Sequence, residues 1–250
     1  MLDFDGTLAQ ITSEPSQARL HPQVRSVFRE MAKQFWQDLA ERVPPRIATG
    51  ILSGRALGDV RQRTGFCEFA YSGNHGLEME AFGVRRTDPA AEAARTELRE
   101  LCDRLAAETD SIPGAFVEHK DLTATVHYRR APELLASRLP AVVARVMQPA
   151  AARFRVRRAL KAWEILPRTP ANKGTAVDWL RGCFGDDRLP IYLGDDASDE
   201  DAFRGLRGGV TIRVGAGMPT QASYAIPDPA GVADFLFWLV FVTGALRQSG

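Results

Sequence analysis

Cysteine is scarce in this chain. Cys67, Cys102 and Cys183 are the three among 250 residues, odd in number and scattered, with no C-x-x-C spacing. That argues against a disulfide framework or a cysteine-bound zinc and fits reduced thiols in a cytoplasmic protein. An excess of charge is missing as well: 32 Lys and Arg against 31 Asp and Glu leave a net charge of +1. With no global field, nucleic acid and acidic membrane are not the expected partners. Long apolar runs are lacking too. Phe235–Val242 near the C-terminus falls well short of the ~20 residues of a membrane span and reads as a buried helix. No secretory leader is expected, because the N-terminus passes straight into an acidic strand. What is present is ordinary globular usage, 45% hydrophobic and 25% charged. The length suits one large domain or two modest ones.

The chain is organised around Leu2-Asp3-Phe4-Asp5-Gly6-Thr7-Leu8. Side chains alternate along a strand, so Asp3 and Asp5 are expected to project together, away from Leu2 and Phe4. Gly6 lets the backbone turn, and Thr7 offers a hydroxyl just past the strand end. Two adjacent carboxylates repel unless a divalent cation binds or one is protonated. An acidic turn accounts for Asp-x-Asp-Gly equally well on its own. A calcium loop does not, because Thr7 and Leu8 stand where a further oxygen ligand and glycine are needed. Only Met1 and Leu2 precede Asp3, whereas a strand usually runs about 5–6 residues. Apolar residues upstream in the natural protein, or marginal stability without them, are therefore expected.

From His21 to Arg42 the spacing of Val24, Val27, Phe28, Met31, Phe35 and Leu39 predicts a helix, with Trp36 on its core face. A buried strand over Arg46–Leu52 then runs into Ser53-Gly54-Arg55. A hydroxyl and free N–H groups at such a strand end, with a helix behind them, suit a phosphate. A plain N-cap serine is the competing reading. After a strand at Phe69–Tyr71, Ser72-Gly73-Asn74-His75-Gly76 sets an Asn and a His on a tight loop. Between about 80 and 166 strands and helices lose simple β-α alternation, which predicts a small inserted α+β module. There Arg153, Arg155 and Arg157 read as a solvated strand face. Alternation resumes with Asn172-Lys173-Gly174 opening a helix, then a buried strand over Pro190–Leu193. Five acidic residues in the seven from Asp195 to Asp201 follow, and hard cations want such carboxylate oxygens.

In an open parallel sheet these strand ends converge on one crevice. Nucleophile, phosphate clamp, cation and metal ligands gathered there are what phosphoryl transfer requires. The motifs D-F-D-G-T (3–7), L-S-G-R (52–55), N-K-G (172–174) and G-D-D-A-S-D-E (194–200) resemble those of the haloacid dehalogenase superfamily. That resemblance implies a doubly wound Rossmann-like α/β core, residues 1–79 and 167–250, with an inserted α+β cap, residues 80–166. Within the superfamily, S-G-N-H-G (72–76), V-E-H-K (117–120), V-H-Y-R (126–129) and W-E-I-L-P (163–167) are similar to the trehalose-6-phosphate phosphatases.

The resemblance implies Mg²⁺-dependent hydrolysis of a sugar phosphate, here trehalose 6-phosphate, through an aspartyl phosphate. Asp3 would be the nucleophile and Asp5 the acid and then the base. Gly6, Thr7, Ser53, Gly54 and Lys173 would hold the phosphoryl group. Asp3, Asp5 through its carbonyl, and Asp195 would hold Mg²⁺, with Asp196 and Asp199 as a further ligand or behind one. Arg55, Asn74, His75, Glu118, Lys120, Arg129, Lys161 and Glu164 would meet the substrate, those from the cap choosing the sugar as a closing lid. Glu118 and Lys120 share a strand face, whereas Arg129 points with His127. A monomer is expected, with a trehalose-phosphate synthase as the pathway partner. The competing readings are another capped sugar phosphatase, of the sucrose-phosphate or glycosyl-phosphoglycerate type, and a non-catalytic sugar-phosphate sensor.

Overall fold

The computed structural model describes residues 1–12, 14–185, 187–216 and 219–248. The described residues divide into two compact units, Met1–Arg86 with Ala171–Gly250, and Thr87–Pro170. In chain order the larger unit begins with β1 (Leu2–Asp3), α1 (Pro22–Ala40), β2 (Gly50–Leu52), α2 (Leu57–Thr64) and β3 (Ala70–Gly73). A hairpin follows, β4 (Glu78–Ala81) and β5 (Val84–Thr87). The smaller unit holds α3 (Pro89–Ala93), α4 (Arg95–Thr109), β6 (Phe116–His119), β7 (Ala124–His127), α5 (Glu133–Ala136), α6 (Leu139–Met147), β8 (Phe154–Ala159) and β9 (Ala162–Pro167). The larger unit resumes with α7 (Lys173–Phe184), β10 (Ile191–Gly194), α8 (Asp199–Gly205), β11 (Val210–Val214), β12 (Tyr224–Ile226) and α9 (Pro229–Gln248).

Its strands form a sheet in the order β12-β11-β10-β1-β2-β3-β4-β5. All neighbours from β12 to β3 are parallel, and β4 runs antiparallel to β3. The order reverses at β1: the chain runs outward through β2 and β3, then returns to build β10, β11 and β12 on the other side. Such a switch point opens a crevice at the C-terminal ends of the central strands. Leu2, Phe4, Ile51, Tyr71, Leu193 and Ile212 face one core with Val24, Phe28 and Leu236 of α1 and α9. Leu52, Ala70 and Tyr192 face the other, with Ala176, Val177 and Leu180 of α7 and Phe203 of α8. Asp3 is opposite Leu52 in the ladder and shares its face. The carboxylate therefore points toward α7 and α8.

Several expectations shift. The hairpin β4–β5 continues the large sheet, so the units divide at 86/87 and 170/171 rather than at 79/80 and 166/167. Helix α1 buries Val24, Val27, Phe28 and Met31, but Trp36 is 55% and Leu39 43% exposed. Its last turn instead buries Asp38, whose carboxylate accepts from the backbone N–H and Nε of Arg46. Trp36 donates from Nε1 to Glu68. Phe235–Val242 is helical, yet Phe237, Trp238 and Phe241 are exposed and only one face is covered. Residues 46–49 lie outside the strand expected over 46–52. β12 carried no apolar signal strong enough to be expected.

β1 is short, two residues. The Met1 amine donates to the Ile191 carbonyl at 2.7 Å, and burial pulls it down to about 5. An apolar cavity of ≈ 290 Å³ lies at this end of the strands, lined by Met1, Met31, Ile47, Phe184 and Ile191. The charged crevice is at the opposite strand ends. Among the described residues no helix is long and apolar enough to cross a membrane. The smaller unit is a four-stranded antiparallel sheet, β6-β7-β9-β8. Val126, Ile165 and Phe154 pack one face onto Leu98, Leu105 and Val143 of α4 and α6. The opposite face carries Glu118, Thr125, Glu164 and Arg157 alongside Phe116 and Ala162.

Candidate active site

β1 delivers Asp3, only 4% exposed, into the crevice. The next residues turn at once: Gly6 N–H donates to Ala9 O, and the Leu8 and Ala9 N–H groups donate to Phe4 O. Gly6 has φ +87°, and a Cβ there would lie 2.0 Å from Asp195 Oδ2. Only glycine fits. Thr7 is fully buried and its hydroxyl has no hydrogen-bond partner, an arrangement that leaves it available to an incoming oxyanion.

Asn172 caps α7, accepting from the Thr175 N–H while Thr175 Oγ1 accepts from the Asn172 N–H. That reciprocal cap fixes the helix start and with it Lys173. Lys173 Nζ donates to Asp3 Oδ1 at 2.6 Å and to Asp199 Oδ1 at 2.7 Å, all three groups buried. Asp199 is saturated: Tyr192 OH also reaches Oδ1 at 2.6 Å, and the Asp195 and Asp196 N–H groups reach Oδ2 at 2.9 Å. Asp196 accepts from the Ser198 N–H and hydroxyl.

Four carboxylates thus surround one ammonium. Burial, with repulsion from Asp199 and Asp195, holds Asp3 well above the usual carboxylate range despite Lys173. Burial, with repulsion from Asp199 and Asp196, pushes Asp195 up to about 7. Burial would lower Lys173, but Asp199 and Asp3 outweigh it and keep it cationic. Burial opposes ionisation of Asp196 too, yet Lys173 and the Ser198 bonds hold it low. A region with surplus buried negative charge calls for a cation. Carboxylate oxygens of Asp3, Asp195 and Asp199 lie within 4.8 Å of one another, and buried Asp195 Oδ1 has no hydrogen-bond partner. This hard oxygen set fits Mg²⁺. With Asp199 saturated and Asp196 tied to Ser198, Asp3 and Asp195 are the side chains best placed to ligate, and the others orient them.

The second loop is braced from behind. Ser53 Oγ accepts from the Arg55 N–H at 3.1 Å. Asn74 and His75 adopt left-handed φ of 48° and 58°, a strain of about 1–3 kcal/mol each that surrounding bonds must offset. Asn74 N–H donates to Arg55 O, His75 N–H to Ser53 O, and the Asn74 amide to Glu78. A Cβ on Gly54 would fall 2.4 Å from the His75 ring. Asn74 is wholly buried and His75 nearly so, and their backbone N–H groups brace the Ser53–Arg55 loop. Asp3 and Asp5 also part company. Because the strand ends at Asp3, Asp5 turns to Arg55, which grips both its oxygens at 2.7 and 2.6 Å. Arg55 is thereby committed to the carboxylate.

In the smaller unit, Glu118, Thr125, Glu164 and Arg157 are successive cross-strand neighbours on the face away from α4 and α6. Glu118 Oε2 lies 2.7 Å from His127 Nε2 and 3.9 Å from Lys120 Nζ. Glu164 accepts from Arg157 at 2.6 Å. Lys161, at φ 56°, occupies the β8–β9 turn, and Arg129 Nη2 lies 3.5 Å from Leu160 O at the same end. The structure therefore sets Glu118 and Glu164 on one row, with Lys120 beside Glu118, and places Arg129 and Lys161 beyond it. Arg157 in this row, and His127 reaching into it from the neighbouring one, were not among the expected site residues. Their signal is cross-strand register, which single-strand alternation does not give.

The trehalose-phosphatase family matches residues 1–230. The chain belongs to that family. It is 36% identical over 243 residues to a trehalose-phosphate phosphatase of Mycobacterium ulcerans, covering 93% of this chain and 59% of that protein. It is 32% identical over 250 residues to a probable trehalose-phosphate phosphatase 4 of Oryza sativa subsp. japonica, covering 96% and 65%. The chain thus spans about three fifths of the length of these curated relatives. In fold it resembles a solved trehalose-6-phosphate phosphatase related protein, with a TM-score of 0.81 at 22% identity and 98% of each chain covered. The C-terminal domain of C. albicans trehalose-6-phosphate phosphatase follows at 0.77 and 23%, covering 96% of this chain and 90% of that one. The trehalose-phosphatase fold of this chain is a haloacid dehalogenase-like α/β core with an inserted α+β unit.

Proposed function

We propose that this family member hydrolyses trehalose 6-phosphate to trehalose and phosphate. The observation that carries the reading is Lys173 bridging Asp3 and Asp199 beside the unpartnered Thr7 hydroxyl, a buried nucleophile next to unmet donors. An Asp3 oxygen attacks phosphorus and the bond to the sugar oxygen breaks. That oxygen takes the departing electron pair and a proton from Asp5, leaving an aspartyl phosphate on Asp3. Asp5 then removes a proton from water, whose oxygen attacks phosphorus and expels the Asp3 carboxylate. Splitting the hydrolysis into two displacements lowers each barrier, and the acid–base help is typically worth about 10²–10⁴-fold.

Lys173, the hydroxyls of Ser53 and Thr7, and the N–H groups around Gly6 and Gly54 hold the phosphoryl oxygens. Mg²⁺ would be held by Asp3, Asp195 and the Asp5 carbonyl, with Asp196 and Asp199 supporting; it offsets repulsion between carboxylate and phosphate. Glu118, Lys120 and Glu164, with Arg129 and Lys161, select the sugar through charge-assisted hydrogen bonds. The test is phosphate release across a panel of sugar phosphates in Mg²⁺. Trehalose 6-phosphate should give the highest kcat/KM, and a clear preference for another sugar phosphate would reject it as the substrate.

A further inference from the structure

Helix α2 and the turn before it carry charges at four-residue spacing, Arg55, Asp59 and Arg63, which places them on one stripe. The stripe ends on Asp5. Arg55 holds both Asp5 oxygens through Nε and Nη2, while its Nη1 donates to Asp59 at 3.0 Å and Nη2 also donates to Pro15 O at 2.9 Å. Arg63 Nε grips both Asp59 oxygens at 2.9 and 2.8 Å, and its Nη1 donates to Ser16 O and Ala18 O. The Arg55 side chain is 8% exposed, with its guanidinium 5.6 Å over the Phe4 ring. Each ion is thus held from two sides, and the far end is fastened to the backbone of residues 16–18. A planar guanidinium held on both edges has little freedom to rotate, and its two-pronged grip fixes the plane of the carboxylate.

We infer that Arg55 is a positioning residue, fixed by Asp59 and Arg63, that aims the Asp5 carboxylate at the leaving oxygen. This rests on the proton-transfer role proposed for Asp5. Within this string Arg55 faces Asp5 and Asp59 rather than standing free for a substrate oxygen. A misaimed acid hurts only substrates whose leaving group needs a proton. A sugar alkoxide needs one, whereas p-nitrophenolate leaves without it. kcat/KM reports on the step that forms the aspartyl phosphate, where that difference is felt.

The experiment compares kcat/KM for trehalose 6-phosphate and p-nitrophenyl phosphate in wild type, Arg55→Lys, Asp59→Asn and Asp5→Asn. Arg55→Lys keeps the charge but loses the fork. Asp59→Asn, nearly isosteric on a partly exposed side chain, covers the case in which the Arg55 variant fails to fold. Both should lose about tenfold or more on the sugar ester and less than about threefold on the aryl ester, in the direction of Asp5→Asn but smaller. If Asp5→Asn is selective while Arg55→Lys and Asp59→Asn lose equally on both esters, or on neither, the positioning role is overturned. If Asp5→Asn itself is unselective, the proton-donor role falls and the inference falls with it.

Discussion

The two units handle charge in opposite ways. In the larger one, Asp3, Lys173 and Asp199 are buried and locked, with Asp199 accepting four hydrogen bonds. In the smaller one, Glu118, Lys120, His127, Arg157 and Glu164 pair on a sheet face where their side chains are 13–34% exposed. Preorganised charge in a water-poor site serves chemistry, because it need not rearrange as charge develops. Charged pairs on a more open face would suit the proposed choice of a neutral sugar, where unmade bonds reject the wrong partner. Substitutions in the first group should therefore damage every substrate alike, and those in the second should damage selectivity.

The largest effect should come from Asp3→Asn. The amide keeps the shape and loses the nucleophile, so phosphate release should vanish for sugar and aryl esters together while the melting temperature stays in the folded range. Turnover above about a hundredth of wild type in excess Mg²⁺ would contradict covalent catalysis, which cannot survive loss of its nucleophile.

Next comes the response of the metal-free protein to pH. An unfolded Asp titrates near 3.8, whereas Asp195 in the fold is pushed up to about 7 by burial and by Asp199 and Asp196. The folded state therefore binds the extra proton between those values. Stability from this group is fully present below 3.8 and is lost as pH rises through 7, roughly 4 kcal/mol in all. In EDTA the melting temperature should fall from pH 5 to pH 8, and Mg²⁺ should restore most at the alkaline end. A Mg²⁺ effect that is flat across this range would remove the carboxylate cluster as its origin.

The same contrast explains how much could be read from residues alone. The residues proposed to handle the phosphoryl group sit in contiguous stretches, D-F-D-G-T, L-S-G-R and G-D-D-A-S-D-E, because turns and strand ends are local devices. The parallel core was legible for the same reason: Pro190–Leu193 and Val210–Val214 are apolar runs between turn residues. Val84–Thr87 was not, since Val-Arg-Arg-Thr forms an edge strand whose residues are mostly exposed. Side-chain direction beyond a strand end was also hidden. Asp5 turns to Arg55, and Asn74 points back to Glu78, through contacts between loops far apart in the chain. The Glu118–Thr125–Glu164–Arg157 row needs the register of four strands, which no single stretch records.

Within that row Glu118→Ala should be the most costly change. It removes the partner of His127 and Lys120 and should cut kcat/KM for trehalose 6-phosphate by ~10-fold, one to two kcal/mol. p-Nitrophenyl phosphate should be hydrolysed about as well as by wild type. Equal losses on both would make Glu118 a structural group, and no loss on either would return the face to plain solvation.

The smallest effect should follow Arg157→Gln. Arg157 pairs with Glu164 across the ladder, and the two side chains are 34% and 16% exposed. A pair this open to water is worth about 1 kcal/mol or less to folding, so the melting temperature should barely move. The carboxylate of Glu164 would nonetheless lose the fork that orients it. If Glu164 meets the sugar, kcat/KM for trehalose 6-phosphate should drop about threefold through KM, with kcat and the aryl ester unchanged, the mark of lost uniform binding. A drop in kcat on both esters would instead tie Arg157 to the chemical step. That outcome would erase the proposed division between a buried reacting unit and a more exposed selecting one.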